Sequence, residues 1–185
     1  PQRVVLHDVA REGRVLLTVE PSRWEMVARA WAIGVERDLS WLSYSLPFAI
    51  SPDRSQILFN ECSTGACTIG LRGFDREPPV LLGRGFGLAF SPGGDQVLSL
   101  VPWESGELSL MPVGAGEERT IDLAGAGIAN ANTGAWSPDG DRIFLNADLS
   151  SGATHLLALE IATGEARRIS NDAVDWGFIA LPPDG

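Results

Sequence analysis

The chain repeats itself, and that repeat constrains its fold more than any other feature. The clearest copies are Gly134-Ala-Trp-Ser-Pro-Asp-Gly-Asp-Arg-Ile-Phe-Leu145 and Phe48-Ala-Ile-Ser-Pro-Asp-Arg-Ser-Gln-Ile-Leu-Phe59. A third is Leu88-Ala-Phe-Ser-Pro-Gly-Gly-Asp-Gln-Val-Leu-Ser99. A degenerate copy, Asp8-Val-Ala-Arg-Glu-Gly-Arg-Val-Leu-Leu17, opens the chain, and a truncated one, Ile179-Ala-Leu-Pro-Pro-Asp-Gly185, closes it. The column of the turn glycine falls at Gly13, Arg54, Gly94, Gly140 and Gly185, in steps of 41, 40, 46 and 45 residues. A period in this range marks an array of supersecondary units that bury their apolar faces against one another.

Each copy has a local physical reading. An apolar run meets Ser-Pro-Asp-Gly, and a second apolar run follows. Proline presets position i+1 of a type I turn, and glycine takes the positive φ after it, so the motif predicts a tight hairpin between buried strands. Arg54 stands in the glycine column of the second copy. A left-handed conformation there would cost about 1–2 kcal/mol, unless that turn has another geometry. Two further strand-like runs follow each hairpin. After Gly140 they are His155–Leu159 and Ala166–Ser170, joined at Ala162–Glu165; after Gly94, Leu108–Met111 and Arg119–Asp122. After Arg54 they are Thr68–Leu71 and Pro79–Leu82; after Gly13, Glu25–Arg29 and Asp38–Trp41. Four short strands per repeat describe a propeller blade. A helical solenoid fails, because no segment sustains i, i+3, i+4, i+7 apolar spacing and Gly and Pro interrupt every ~10 residues.

The Ser-Pro-Asp-Gly-x-x-Ile-x-Phe hairpin, with an aromatic before the serine and Thr-Gly-Glu in the later turn, resembles the TolB-like, WD-related β-propeller repeat across essentially the whole chain. Such repeats occur in periplasmic TolB and in the propellers of prolyl-oligopeptidase-type peptidases. They also form C-terminal regions of bacterial serine/threonine kinases and regulators. The opening Leu6–Glu20, followed by Trp24-Glu-Met26, looks most like the last group. The expected fold is all-β: a β-propeller of four four-stranded antiparallel blades plus the first strand of a fifth. The blades are expected at residues 3–43, 44–83, 84–127 and 128–174, with the next beginning at 175–185. That count, and a start at Pro1 rather than Met, read as part of a larger propeller. The lone strand at Trp176–Gly185 then needs a partner, and either self-association through the terminal blades or dependence on further blades is expected.

Composition narrows the function classes. With 24 acidic residues against 14 basic ones the net charge is −10, and every basic residue is arginine. No positive excess exists to displace counterions from nucleic acid or to hold an anionic membrane surface, so neither is expected as a partner. Catalytic Schiff-base and P-loop lysines are excluded, and no Gly-x-Ser-x-Gly elbow is present. His7 and His155 belong to different blades, with no ligand spacing around either, and read as surface or structural histidines. Gly83-Arg-Gly-Phe-Gly87 opens no helix and reads as a junction rather than a phosphate cradle. Asp53, Asp139 and Asp184 recur at the turns, where an aspartate caps its own backbone; they lack the alternation of a calcium loop. Catalytic residues, metal ligands and cofactors are therefore all expected to be none.

Cys62 and Cys67 could close a hairpin disulfide in an oxidising compartment or stand as two incidental thiols; spacing alone does not decide. Trp136 and Phe90 are expected between blades. Trp24, Trp31 and Trp103 fall in or beside loops, where aromatics meet partners. Residues entering the innermost strands should face the central channel: Tyr44 and Ser45, Arg84 and Phe86, Asn130, Asn132 and Thr133, Asp175 and Trp176. A funnel lined by Tyr, Asn, Asp and Arg suits a peptide, a protein segment or a small ligand, although a solvated channel mouth would look the same. The resemblance implies a non-catalytic module for ligand sensing or protein–protein interaction within a larger signalling protein, in an extracytoplasmic location. The alternatives are the propeller of a prolyl-oligopeptidase-like hydrolase and a TolB-like periplasmic scaffold.

Overall fold

A computed structural model describes residues 3–9, 15–20, 23–29, 36–63, 65–75, 77–100, 106–175 and 179, the first two segments as backbone alone. Every regular element in them is a strand. Strands β5 (Ser45–Ile50), β6 (Gln56–Glu61), β7 (Thr68–Gly73) and β8 (Val80–Arg84) form one antiparallel sheet in sequential order. Strands β9 (Phe86–Phe90), β10 (Gln96–Leu100), β11 (Glu107–Pro112) and β12 (Arg119–Asp122) form a second. A third contains β13 (Ile128–Trp136), β14 (Arg142–Leu149), β15 (Thr154–Glu160) and β16 (Ala166–Arg168). These sheets are propeller blades, as the repeat predicts.

The residues ahead of them are arranged differently. Strands β1 (Arg3–Val9) and β2 (Val15–Glu20) pair as one two-stranded sheet, and β3 (Val27–Arg29) and β4 (Glu36–Asp38) as another. Among the described residues no ladder joins β2 to β3. The backbone just before β3 is engaged elsewhere. Trp24 makes a parallel bridge to Tyr44, its N–H donating to the Ser43 carbonyl at 2.9 Å. An apolar cleft of about 410 Å³ lies between β3 and β5, flanked by the exposed Val27 and Ile50.

The core sits between blades rather than within them. The second strand of each blade is buried on both faces, so alternate side chains serve opposite neighbours. In β6, Ile57 and Phe59 pack with Met26 and Leu39, whereas Leu58 packs with Phe90, Val97 and Met111 of the next blade. In β10, Val97 joins that second cluster, and Leu98 and Leu100 join a third with Trp136, Ile143, Leu145 and Leu157. Phe90 and Trp136 are both buried between blades, as expected from their place before the turn.

The repeated turns share one geometry. Arg54, Gly94 and Gly140 donate their N–H groups to the carbonyls of Ser51, Ser91 and Ser137 at 2.8–2.9 Å. Each buried serine hydroxyl accepts the first N–H of the following strand, from Gln56, Gln96 and Arg142, at 2.9–3.0 Å. The same hydroxyl donates to a turn carboxylate: Asp53, Asp95 or Asp139. Asp53 and Asp139 also cap the backbone two residues on, at Ser55 and Asp141. The hydrogen bond from Ser137, followed by those from Asp141 and Arg142, holds the Asp139 carboxyl down at about 2. Gly94 and Gly140 have φ of 76° and 80°, and Arg54 adopts 61°. A side chain therefore occupies the left-handed position in one copy. The turns stand side by side at one end of the stack, since a Cβ at Gly94 would lie 3.2 Å from Pro52 and one at Gly140 3.8 Å from Pro92.

Candidate functional site

The inner strands begin at the end opposite these turns. There the structure gathers the candidate residues into two clusters. The first surrounds Glu61, the last residue of β6, which is only 3% exposed. Its carboxylate accepts from Ser45 Oγ at 2.5 Å, Tyr44 N at 3.0 Å, Leu42 N at 3.2 Å and Ser63 N at 3.3 Å. Burial alone would raise its pKa. The donors from Ser45, Tyr44, Leu42 and Ser63 outweigh that, and the carboxyl stays below its ordinary range. The anion fixes the loop leading into β5. At the other end of that loop Arg72, on β7, donates to the carbonyls of Leu39 and Ser40 at 2.7 and 2.8 Å. The loop is thus clamped between a buried carboxylate and a guanidinium.

That clamp displays apolar side chains outward. Trp41 and Leu42 are exposed, and Trp24 is 54% exposed. The Trp24 ring meets Tyr44 edge-on, with centroids 5.4 Å apart. Cys62 and Cys67 are joined as a disulfide with Cα atoms 4.1 Å apart, closing the β6–β7 hairpin. The hairpin touches both flanking segments: Cys62 N–H donates to the Tyr44 carbonyl and Gly85 N–H to the Cys67 carbonyl, each at 3.0 Å. Tyr44 and Arg84 are therefore brought to the same hairpin. Arg84 does not enter the inner strand, however. It ends β8, opposite Thr68, with an exposed side chain, and Gly85 at φ 122° makes the corner into β9.

The second cluster is an amide ladder on the last blade. Asn130 Nδ2 donates to Asn132 Oδ1 at 3.1 Å. Asn132 Nδ2 reaches Asp148 at 3.4 Å and Asn146 at 3.5 Å. Thr154 Oγ1 donates to Asp148, and Asn146 Nδ2 donates to the Asp175 carbonyl at 3.0 Å. Asn130, Asn132 and Asp175 are thus assembled, Asp175 through its backbone. Thr133 is half-buried beside them. Trp31, Trp103, Trp176 and Asp184 lie outside the described residues, as does nearly all of the terminal strand.

Asn60 and Asn146 occupy the same column of the repeat. Asn60, fully buried, binds Gly87 twice, accepting from its N–H at 2.8 Å and donating to its carbonyl at 3.0 Å. A side-chain amide thereby clasps the inner strand of the following blade. Gly87 must be glycine, because a Cβ there would lie 2.8 Å from Leu58 and Ile69. His155 is 6% exposed with Nδ1 3.2 Å from Ser170 Oγ, a structural placement. His7 lies in β1. Among the described residues no group of three His, Cys, Asp or Glu could hold a metal ion, and no helix is long and apolar enough to cross a membrane.

No family model matches the sequence, and no curated protein does. Solved structures do match its fold. A protein assigned as TolB from Agrobacterium tumefaciens superposes with TM-score 0.68 at 18% identity, over 93% of this chain and 63% of its own. TolB from Acinetobacter baumannii gives 0.58 at 18% identity, over 80% of this chain and 38% of its own. An oligogalacturonate lyase from Vibrio parahaemolyticus gives 0.57 at 13% identity, over 90% and 48%. The chain spans less than two thirds of each. At these identities the likeness is one of fold: a TolB-like β-propeller.

Proposed function

We propose that the chain is a non-catalytic, extracytoplasmic propeller module that binds a protein or peptide at the face where its inner strands begin. The observation that supports this most is the clamped loop at 39–45. A buried anion and an arginine hold its backbone, while Trp24, Trp41, Leu42 and Tyr44 are displayed at its surface. Aromatic anchors fixed before binding lose little entropy on complex formation, which is the usual make-up of an interface hot spot. Two titratable groups at this face, Glu61 and His155, are committed to architecture, Glu61 to the loop and His155 to Ser170. The Cys62–Cys67 disulfide favours an oxidising compartment. TolB-type neighbours support the scaffold reading in general terms, and the kinase-linked origin draws no support from them.

Site-directed photocrosslinking in the full-length protein tests the proposal. A photoreactive residue at Leu42 should give discrete protein adducts in cells, and Trp41→Ala should abolish them. The same probe at Pro138, among the turns of the opposite end, should give none. Equal adducts from both ends would overturn the reading.

A further inference from the structure

The Cys62–Cys67 disulfide lies where it can control the loop rather than merely brace a hairpin. Four observations converge. The two cysteines are half-buried, and Ser63, Gly65 and Ala66 between them are exposed, so a small reductant has access. Glu61 immediately precedes the bridge and draws one of its donors, Ser63 N–H, from inside the bridged turn. Cys62 itself donates to the Tyr44 carbonyl, so the bridged residue and the recognition loop are directly bonded. Cys67 accepts from Gly85, at the corner into the next blade. Glu61, in turn, fixes Leu42, Tyr44 and Ser45.

We propose that Cys62–Cys67 is a thiol–disulfide exchange site whose oxidation state sets the order of the loop at 39–45. The biological meaning rests on that loop being the recognition surface; the structural coupling does not. The co-reactant is a dithiol. Its thiolate attacks one sulfur of the bridge to form a mixed disulfide, and the other cysteine leaves as thiolate and is protonated. The second thiol of the reductant then resolves the mixed disulfide. Two electrons pass to the protein, Cys62 and Cys67 end as thiols, and the reductant ends as a disulfide. Freed of the bridge, the turn at 62–67 can open, and Glu61 loses Ser63 and its fixed position. The N–H groups of Leu42 and Tyr44 lose the acceptor that ordered the loop. The rest of the blade is held independently, through the Asn60–Gly87 clasp and the interblade cluster around Leu58.

Residue-resolved hydrogen exchange on the full chain, before and after reduction with dithiothreitol, decides the matter; thiol titration confirms that both cysteines are free. Exchange at Leu42 and Tyr44 should accelerate at least tenfold, while Gly87 and Leu145 keep their protection. Cys62→Ala/Cys67→Ala should reproduce the reduced pattern without reductant. Glu61→Gln should give the same local acceleration with the disulfide intact. Unchanged exchange at Leu42 and Tyr44 after full reduction would overturn the proposal. So would loss of protection at Leu145 together with the loop, because the bridge would then support the whole fold. Neither readout involves a partner, so failure of the recognition reading would appear separately, in the crosslinking.

Discussion

Glu61 and Asn132 both organise polar groups where inner strands begin, and they do it in opposite ways. Glu61 is an almost fully buried anion with four donors at 2.5–3.3 Å, three of them backbone N–H groups. Asn132 is a half-buried neutral amide whose donor contacts stretch to 3.4 and 3.5 Å. Charge-assisted bonds are about twice as strong as neutral ones. Hydrogen bonds near 3.5 Å are at the weak limit of the range. The first cluster is therefore a fixed support, and the second is a soft polar surface whose amides can change partners at little cost. A loop that must present apolar side chains in one arrangement needs the first kind of support.

Substitutions should separate the two. Glu61→Ala removes the shared acceptor and leaves three loop donors without one. It should destabilise by about 3 kcal/mol in urea melts. Acid should do the same gradually. The Glu61 carboxyl is held below its ordinary range, so its contribution is complete above that range and is lost as the pH falls through the depressed value. Near-ultraviolet dichroism of Trp24 and Trp41 should follow that titration and vanish in Glu61→Gln. Asn60→Ala, which strands the Gly87 N–H and carbonyl, should cost about 2 kcal/mol. Arg54→Gly relieves a left-handed side chain and should raise stability by up to about 1 kcal/mol; a clear loss would mean that the arginine makes contacts outweighing its backbone strain. Asn132→Ala should cost about 0.5 kcal/mol or less. A cost equal to that of Asn60→Ala would mean that the amide ladder is as firmly held as the buried clasp.

Much of this architecture was legible in the sequence, because the turn motif encodes its own hydrogen bonds. Ser, Pro, Asp and Gly each answer a separate backbone demand, and Phe90 and Trp136 could be placed between blades from their distance to the turn. The left-handed cost at Arg54 was legible for the same reason. The arrangement ahead of β5 was not, because Trp24 bridges to Tyr44, a pairing between adjacent repeats that no within-repeat pattern reveals. Arg84 was expected at an inner strand but ends β8, since Gly85 turns the chain one residue later than the sequence pattern suggests. Glu61 left no signal: its column holds Ala147 in the last blade, and its role depends on burial by a loop from the preceding repeat. Asn60 and Asn146 did leave one. They stand six residues after the turn column in two copies, and a buried amide recurring in register is the mark of a backbone clasp.

The stacked turns carry a rule about succession. Pro52 lies against Gly94 and Pro92 against Gly140, so each motif presents a proline to the glycine of the one that follows. At Gly94 a Cβ would sit 3.2 Å from that proline, tighter than most side chains tolerate. In the copy before the one carrying Arg54, the sequence has Arg11 rather than proline in the corresponding column. A side chain in place of Gly94 would crowd Pro52, whereas a Cβ at Gly140 would meet Pro92 at 3.8 Å, an ordinary van der Waals contact. The two described junctions are therefore not equivalent. Duplicating or shuffling these units in an engineered array would have to keep a glycine behind Pro52, so that one junction carries a constraint that its neighbour at Pro92 does not.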